Sequence, residues 1–281
     1  MRLVSMLFVP GDRPERMEKA LGSGADALIL DLEDSVSGAH KTMAREAIAA
    51  FLDRPRSDVK LFVRINPLQG DMARDDLAAV MPHRPDGVCL PKAEGLASIR
   101  ELEGLIGDAD CAIFPLVTET ALAMFKLGEY AGASKRICGL TWGAEDLPSA
   151  IGATQARMPD GTFTPPLEMA RSMTLFAAHA AGVEAIETIS PDFKDLDALK
   201  RYAERAAADG FTGMMAIHPA QVPVINAAFT PSPETVAHAQ KIVDAFAAAP
   251  DAGVLSIDGQ MIDAPHLKQA QRVLSRASAT T

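Results

Sequence analysis

Glu119 and Asp146 stand at or just beyond the ends of two apolar runs, CAIFPLVTE (111–119) and KRICGLTWG (135–143). If those runs are neighbouring parallel strands, the two side chains approach one point. Two carboxylates held close repel unless a cation lies between them. An oxygen-only pair with no histidine or cysteine beside it suits Mg2+, which keeps several waters and takes other ligands from substrate. The alternative is that each carboxylate caps the helix after its strand. Glu145 competes with Asp146 within one loop, and the residues alone do not separate them.

Arg64 lies inside an otherwise apolar run, LFVRIN. Its guanidinium needs an anion. Asp31, Glu33 or Asp34 of the acidic ledge DLEDSV can supply one, or it can grip a substrate carboxylate in bidentate fashion. Arg13, Arg16 and Lys19 crowd the stretch PGDRPERMEKA. They read either as the solvated face of a helix or as a phosphate site at its start. His218, followed by Pro219, reads by itself as a packed, hydrogen-bonded histidine. Near the C-terminus, IDGQMIDAPH (257–266) sets Asp258 and Asp263 in front of an amphipathic helix, as caps or as acids with chemistry to do.

These groups need a scaffold that gathers strand ends. The apolar runs fall at 3–10, 26–34, 59–67, 86–92, 111–119, 135–143, 183–189 and 213–219, with helix-like segments between most of them. Continuous apolar strands are what a parallel sheet covered on both faces requires. Eight strand–helix units predict an α/β protein with a closed (β/α)8 TIM barrel, whose functional groups gather at the C-terminal ends of the strands. A doubly wound open sheet is the rival, but VPGDRPER after the first run lacks its Gly-x-Gly-x-x-Gly turn. The prolines of TPSPE (230–234) mark a boundary. The barrel is expected over 1–229 and a C-terminal extension over 230–281. The extension reads as a helix (Glu234–Ala248), the loop APDAG, a strand VLSI and a last helix.

The chain has 281 residues and a formal net charge of −10. That balance argues against nucleic acid or an anionic membrane as the main partner. No apolar run approaches the roughly 20 residues that span a bilayer, and no signal-peptide pattern opens the chain. A cytoplasmic protein is expected, with Cys89, Cys111 and Cys138 as free thiols.

Several blocks, taken in order, carry a resemblance. LFVPGDRPERMEKA, LILDLEDSV, VRIN, LPKAE, ETA, WGAEDL, GFTGMMAIHPAQV, FTPSPE and DGQMIDAPHLKQAQ resemble the motifs of CoA-ester lyases related to the citrate lyase β-subunit, in the HpcH/HpaI aldolase superfamily. The resemblance runs from Leu7 to about Leu274, and it departs at Glu187 and Met214, where relatives often carry Asp and Lys. It implies a TIM barrel assembled as a trimer or pair of trimers. It implies Mg2+ held by Glu119 and Asp146, with Glu145 left beside the substrate. Arg64 would take the substrate carboxylate. Phe8, Arg13 and Lys19 would meet the CoA adenine and phosphates, with His218 and Pro219 lining the same pocket. The C-terminal extension would act as a lid over a neighbouring subunit, bringing Asp263 as the proton carrier. The implied reaction is reversible carbon–carbon cleavage of a 3-hydroxyacyl-CoA such as malyl-, methylmalyl- or citramalyl-CoA. Alternatives are a malyl-CoA thioesterase, a citrate lyase β-subunit acting on a carrier-bound substrate, and a CoA-independent class II pyruvate aldolase.

Overall fold

Each of the eight apolar runs forms a strand in the computed structural model, which describes residues 2–278. They are β1 (Ser5–Pro10), β2 (Ala27–Asp31), β3 (Lys60–Arg64), β4 (Gly87–Leu90), β5 (Ala112–Pro115), β6 (Gly139–Thr141), β7 (Glu184–Glu187) and β8 (Gly213–Ala216). All the pairings among them are parallel, in the order β5-β4-β3-β2-β1-β8-β7-β6. The free edges of β5 and β6 meet through bridges at Ile113–Ile137 and Leu116–Thr141. The Val117 N–H donates to the Thr141 carbonyl at 2.9 Å, which nearly closes the barrel. The interior is packed rather than open: Met6, Ile29, Phe62, Cys89, Phe114 and Met215 are buried together, as strands covered on both faces require.

Helices follow the strands: α1 (Pro14–Ala20), α2 (Lys41–Leu52), α3 (Met72–Val80), α4 (Leu96–Ile106), α5 (Ala121–Met124), α6 (Asp146–Ala150), α7 (Pro165–Ala181), α8 (Leu196–Asp209) and α9 (Gln221–Phe229). Two differ from expectation. The helix-like segment after the run 111–119 is a single turn, α5, and a 3-10 turn follows it at Leu127–Tyr130. The short α6 was not anticipated from the sequence; it begins at Asp146 itself, so the loop bearing the acid is fixed at its far end by a helical turn. Among the described residues, no helix is long and apolar enough to cross a membrane. Cys89, Cys111 and Cys138 are free.

The chain divides into two compact units, Leu3–Asn226 and the segment from Ala227 onward. The second unit contains α10 (Pro233–Ala248), the antiparallel strands β9 (Val254–Ile257) and β10 (Gln260–Asp263), and α11 (Ala264–Ser278). Ser232 caps α10 by accepting the Thr235 N–H at 3.1 Å, with Pro233 at the first helical position. A single strand was expected here. Asp258 and Gly259 both take positive φ, 53° and 79°, the backbone of the tight hairpin turns that favour Asp-Gly. The turn folds QMID back on VLSI as a second strand. Ala239, Ile242, Ile257, Ile262 and Ala270 form this unit's own core.

Candidate active site

A cavity of about 380 Å³ opens at the C-terminal ends of the barrel strands, and all its lining residues belong to the first unit. Glu119, Glu145, Asp146 and Arg64 line it together, with Phe8 and Trp142 among the walls. Glu119 is only 3% exposed. Thr120, not Glu119, caps the following turn, its hydroxyl accepting the Ala123 N–H at 3.1 Å. Glu145 occupies the N-cap position of α6 without a side-chain capping bond. The capping explanation therefore fails for Glu119, and Glu145 does not cap α6 either. Asp146 remains in the first turn of α6, where a negative charge is favoured by the helix dipole.

Lys92 organises the acids. It is one of the few non-glycine residues with positive φ, at 50°, a conformation that costs roughly 1 kcal/mol or more. Its N–H donates to Glu119 Oε2 at 2.5 Å, while its ammonium reaches Glu33 Oε1 at 2.8 Å and Asp146 Oδ1 at 3.2 Å. One lysine thus engages three carboxylates, Glu33 and Asp146 through its ammonium and Glu119 through its N–H. Burial pushes Glu119 up to about 8, and Asp146 and Glu33 add to the rise against the Lys92 amide and charge. Among the described residues, no group of three or more His, Cys, Asp or Glu is arranged to hold a metal. Two carboxylates open to one cavity, short of positive charge, fit a hard divalent cation that keeps water and takes substrate oxygens.

Gly143 belongs to the same fit. A Cβ there would lie 2.5 Å from Glu119 Cγ and 2.9 Å from Oε1, so only glycine lets the loop close over the acid. Gly143→Ala is expected to displace Glu119 and weaken Mg2+ binding by roughly 10-fold or more, measured by calorimetric titration. Unchanged affinity would refute the cradle.

Arg64 satisfies the internal reading in full. Nε and Nη2 donate to Asp31 Oδ1 and Oδ2, both at 2.7 Å, and Nη1 lies 3.1 Å from Glu33 Oε2. The guanidinium also stacks over Phe8 at 4.7 Å. A guanidinium has five N–H donors, so N–H capacity remains at the cavity wall. Burial pushes Asp31 up, but the bonds and charge of Arg64, with donors from Ser35 and Glu33, outweigh it and hold the acid below its ordinary value. A depressed carboxylate stabilises the fold above its unfolded value of 3.8, and that contribution is lost as pH falls through the lower folded value. Arg64→Met should therefore lower the melting temperature near neutral pH by a margin that shrinks as pH falls below about 4, followed by circular dichroism from pH 7 to 3; a margin independent of pH would refute the coupling.

The acidic ledge rests on a second set of bonds. Lys41 is buried and donates to the Leu32 and Glu33 carbonyls at 2.5 and 2.7 Å and to Asn66 Oδ1 at 2.9 Å. Asn66 in turn donates to Asp76 at 2.7 Å.

The residues expected to meet CoA are only partly gathered. Phe8 lines the cavity; Arg13, Lys19, His218 and Pro219 do not and are exposed. Arg13 lies 3.6 Å from Asp12. His218 stacks on Phe193 with ring centroids 4.9 Å apart. Since β1 pairs with β8, the loops bearing these residues leave adjacent strands at the same end of the barrel. In the second unit, Asp263 closes β10, and its Oδ1 lies 2.6 Å from His266 Nδ1. Trp142 and Arg171 are not singled out by the sequence, although Trp142 lines the cavity and Arg171 bonds Glu187 behind it. Charged residues inside apolar segments, as at Arg171 in α7, are the signal that could have found them.

The residues 4–219 match the model of the HpcH/HpaI aldolase/citrate lyase family, and 168–280 match a C–C bond lyase of the TIM-barrel fold. A citrate lyase subunit beta-like protein of Mycobacterium tuberculosis is 39% identical over 276 residues, 98% of this chain and 96% of the relative. A (3S)-malyl-CoA thioesterase of Cereibacter sphaeroides is 32% identical over 280 residues, covering 98% and 94%. The crystal structure of CitE from M. tuberculosis in complex with magnesium, acetoacetate and coenzyme A superposes with a TM-score of 0.84 at 36% identity, covering 98% of each chain. With that agreement over nearly its whole length, the chain belongs to the HpcH/HpaI aldolase/citrate lyase family and is a lyase enzyme of its TIM-barrel kind.

Proposed function

We propose that the enzyme uses Mg2+ to cleave a 3-hydroxyacyl-CoA of the malyl-, methylmalyl- or citramalyl-CoA class reversibly to an acyl-CoA and a 2-oxoacid. The observation that carries the reading is the convergence of Glu119, Asp146 and Arg64 on one cavity of about 380 Å³, a volume suited to the short hydroxyacyl part with CoA extending outward. The relative crystallised with magnesium, acetoacetate and coenzyme A supports the same ligand set.

Glu119 and Asp146 would hold the metal, which supplies Lewis-acid polarisation of substrate oxygens. Arg64 orients the carboxylate next to the hydroxyl carbon, and Glu145 lies beside the substrate. The 3-hydroxyl proton leaves to water, and its oxygen becomes the carbonyl of the 2-oxoacid. The electron pair of the broken bond becomes the enolate of the acyl-CoA. Asp263 then gives its proton to that carbon; in the reverse direction it removes the same proton. Phe8, Arg13, Lys19, His218 and Pro219 take the CoA side of the mouth.

The assembly belongs to this proposal. α7 exposes Met169, Met173 and Phe176 along one face, α5 exposes Leu122, and Phe125 just beyond it is 88% accessible. Apolar surface of this extent supports self-association. A homotrimer, or a pair of trimers, would let Asp263 reach a neighbour's cavity from the C-terminal unit, which serves as its lid.

A second reading is hydrolysis of the thioester, favoured by the likeness to the malyl-CoA thioesterase. One experiment separates them. The protein is incubated with Mg2+ and malyl-, methylmalyl- or citramalyl-CoA, and the products are identified by mass spectrometry. A 2-oxoacid with acyl-CoA supports cleavage, and free CoA with the hydroxyacid supports hydrolysis. No metal-dependent turnover of any of the three sinks both.

A further inference from the structure

One buried charge pair stands behind the cavity wall and takes no part in the chemistry above. Glu187 is the last residue of β7 and is 0% exposed. Its Oε2 accepts the Nε–H of Arg171 at 2.6 Å, and its Oε1 accepts the Trp142 indole N–H at 2.5 Å and the Thr188 N–H at 2.8 Å. Arg171 continues to Asp209 at 2.7 Å. Trp142 packs edge-on against Phe163, with centroids 4.9 Å apart. Trp142 and Thr188 both line the cavity, and Trp142 directly precedes the Gly143–Asp146 loop. A single carboxylate therefore fixes two separate stretches of the wall.

Stability does not account for this arrangement. A fully buried carboxylate–guanidinium pair gains little over apolar residues of equal volume, because both charges lose their water. Arg171 Nη2 is also buried without a hydrogen-bond partner, which makes the polar cluster costlier still. What the cluster does supply is a fixed indole. With its N–H held and its ring wedged on Phe163, Trp142 allows the following loop little freedom, and Asp146 lies at the end of that loop.

We propose that Glu187 is a positioning residue: held by Arg171, it anchors Trp142, and through Trp142 it sets where Asp146 presents its carboxylate in the cavity. The inference rests on the reading of Glu119 and Asp146 as the Mg2+ ligands, and its test has a readout other than turnover. Trp142 is the only tryptophan in the chain, so intrinsic fluorescence reports this one indole. Glu187→Met keeps the length of the side chain but can accept a hydrogen bond from neither Trp142 nor Arg171. It is expected to red-shift the emission and to weaken Mg2+ binding roughly 10-fold, as removal of an outer-shell partner does. In a Trp142→Phe background, calorimetric titration with Mg2+ should show no further loss on adding Glu187→Met, because the lever is already gone.

Mg2+ affinity within about twofold of wild type in Glu187→Met would overturn the inference. So would full additivity of the two substitutions, which would mean that Glu187 acts by a route other than Trp142. If Glu187→Met does not fold, Trp142→Phe alone decides: its Mg2+ affinity must fall, and an unchanged value overturns the inference. Failure of the wild-type protein to bind Mg2+ overturns the functional reading itself and this inference with it. An unaltered variant beside a binding wild type overturns the inference alone.

Discussion

Glu119→Gln should abolish Mg2+-dependent turnover while making the metal-free fold more stable. The two effects have one origin. Glu119 is buried, accepts the Lys92 N–H, and faces Asp146 and Glu33, which share the Lys92 ammonium while Arg64 reaches only Glu33. Burial and its acidic neighbours push it from 4.5 up to about 8. A carboxyl raised in the folded state costs nothing below its unfolded value. The cost of its charge grows as pH rises from 4.5 to about 8 and is constant above that. Glutamine keeps the shape and the acceptor for Lys92 and removes the charge. The variant's melting temperature should therefore exceed that of the wild type by a margin that widens from pH 5 to 8. Each kcal/mol relieved corresponds to roughly 2–4 °C for a domain of this size. Added Mg2+ should raise the wild-type melting temperature and leave the variant's unchanged. A site of this kind supplies several kcal/mol to the transition state, so kcat should fall by about 10³-fold or more. A variant that is active but no more stable would show that Glu119 is neither a ligand nor under strain.

The barrel was legible because a parallel sheet covered by helices must be apolar on both faces, so every strand announces itself as an unbroken apolar run. The acids at strand ends followed from the same logic. What stayed hidden depended on backbone geometry or on pairs distant in sequence. Nothing in LPKAE says that Lys92 takes a positive φ and turns its N–H onto Glu119. Trp142, Glu187 and Arg171 lie on separate elements, and only closure of the barrel between β5 and β6, with β7 next in order, brings the indole onto the carboxylate. The alternatives for Arg64 could not be decided from composition, because the ledge offered Asp31, Glu33 and Asp34 alike; the structure selects Asp31 for the bidentate pair and Glu33 for the third nitrogen. The missed strand β10 was a matter of length. Four residues ending where a helix begins carry too little alternation to show, although the Asp-Gly step before them is a strong hairpin signal.

Asp263→Asn should lower kcat by about 10²- to 10⁴-fold, the usual contribution of a general acid–base group, while Mg2+ and CoA bind as in the wild type. Asp263 closes β10 at the head of α11, on a hairpin whose register is held by the Asp258-Gly259 turn and whose inner face packs Ile257 and Ile262. His266, one turn into α11, lies 2.6 Å from its Oδ1 and holds the carboxyl in one orientation. A rigid mount of this kind suits a group that must meet a carbon atom, because proton transfer to carbon tolerates little error in distance. Asparagine keeps the size and the acceptor for His266 but cannot carry the proton, so folding and affinity should survive while turnover does not. The proposed assembly adds a sharper demand. If each cavity takes its Asp263 from a neighbouring copy, Asp263→Asn and Glu119→Ala damage different partners of one interface. Equimolar subunit exchange between the two inactive variants should then restore roughly a quarter of wild-type activity, the fraction of cavities pairing an intact Glu119 with an intact neighbouring Asp263. No recovery after exchange has been verified by mass spectrometry would place Asp263 in its own chain's site. Full activity of Asp263→Asn alone would remove it from the chemistry, and the proton would have to come from another group at the cavity.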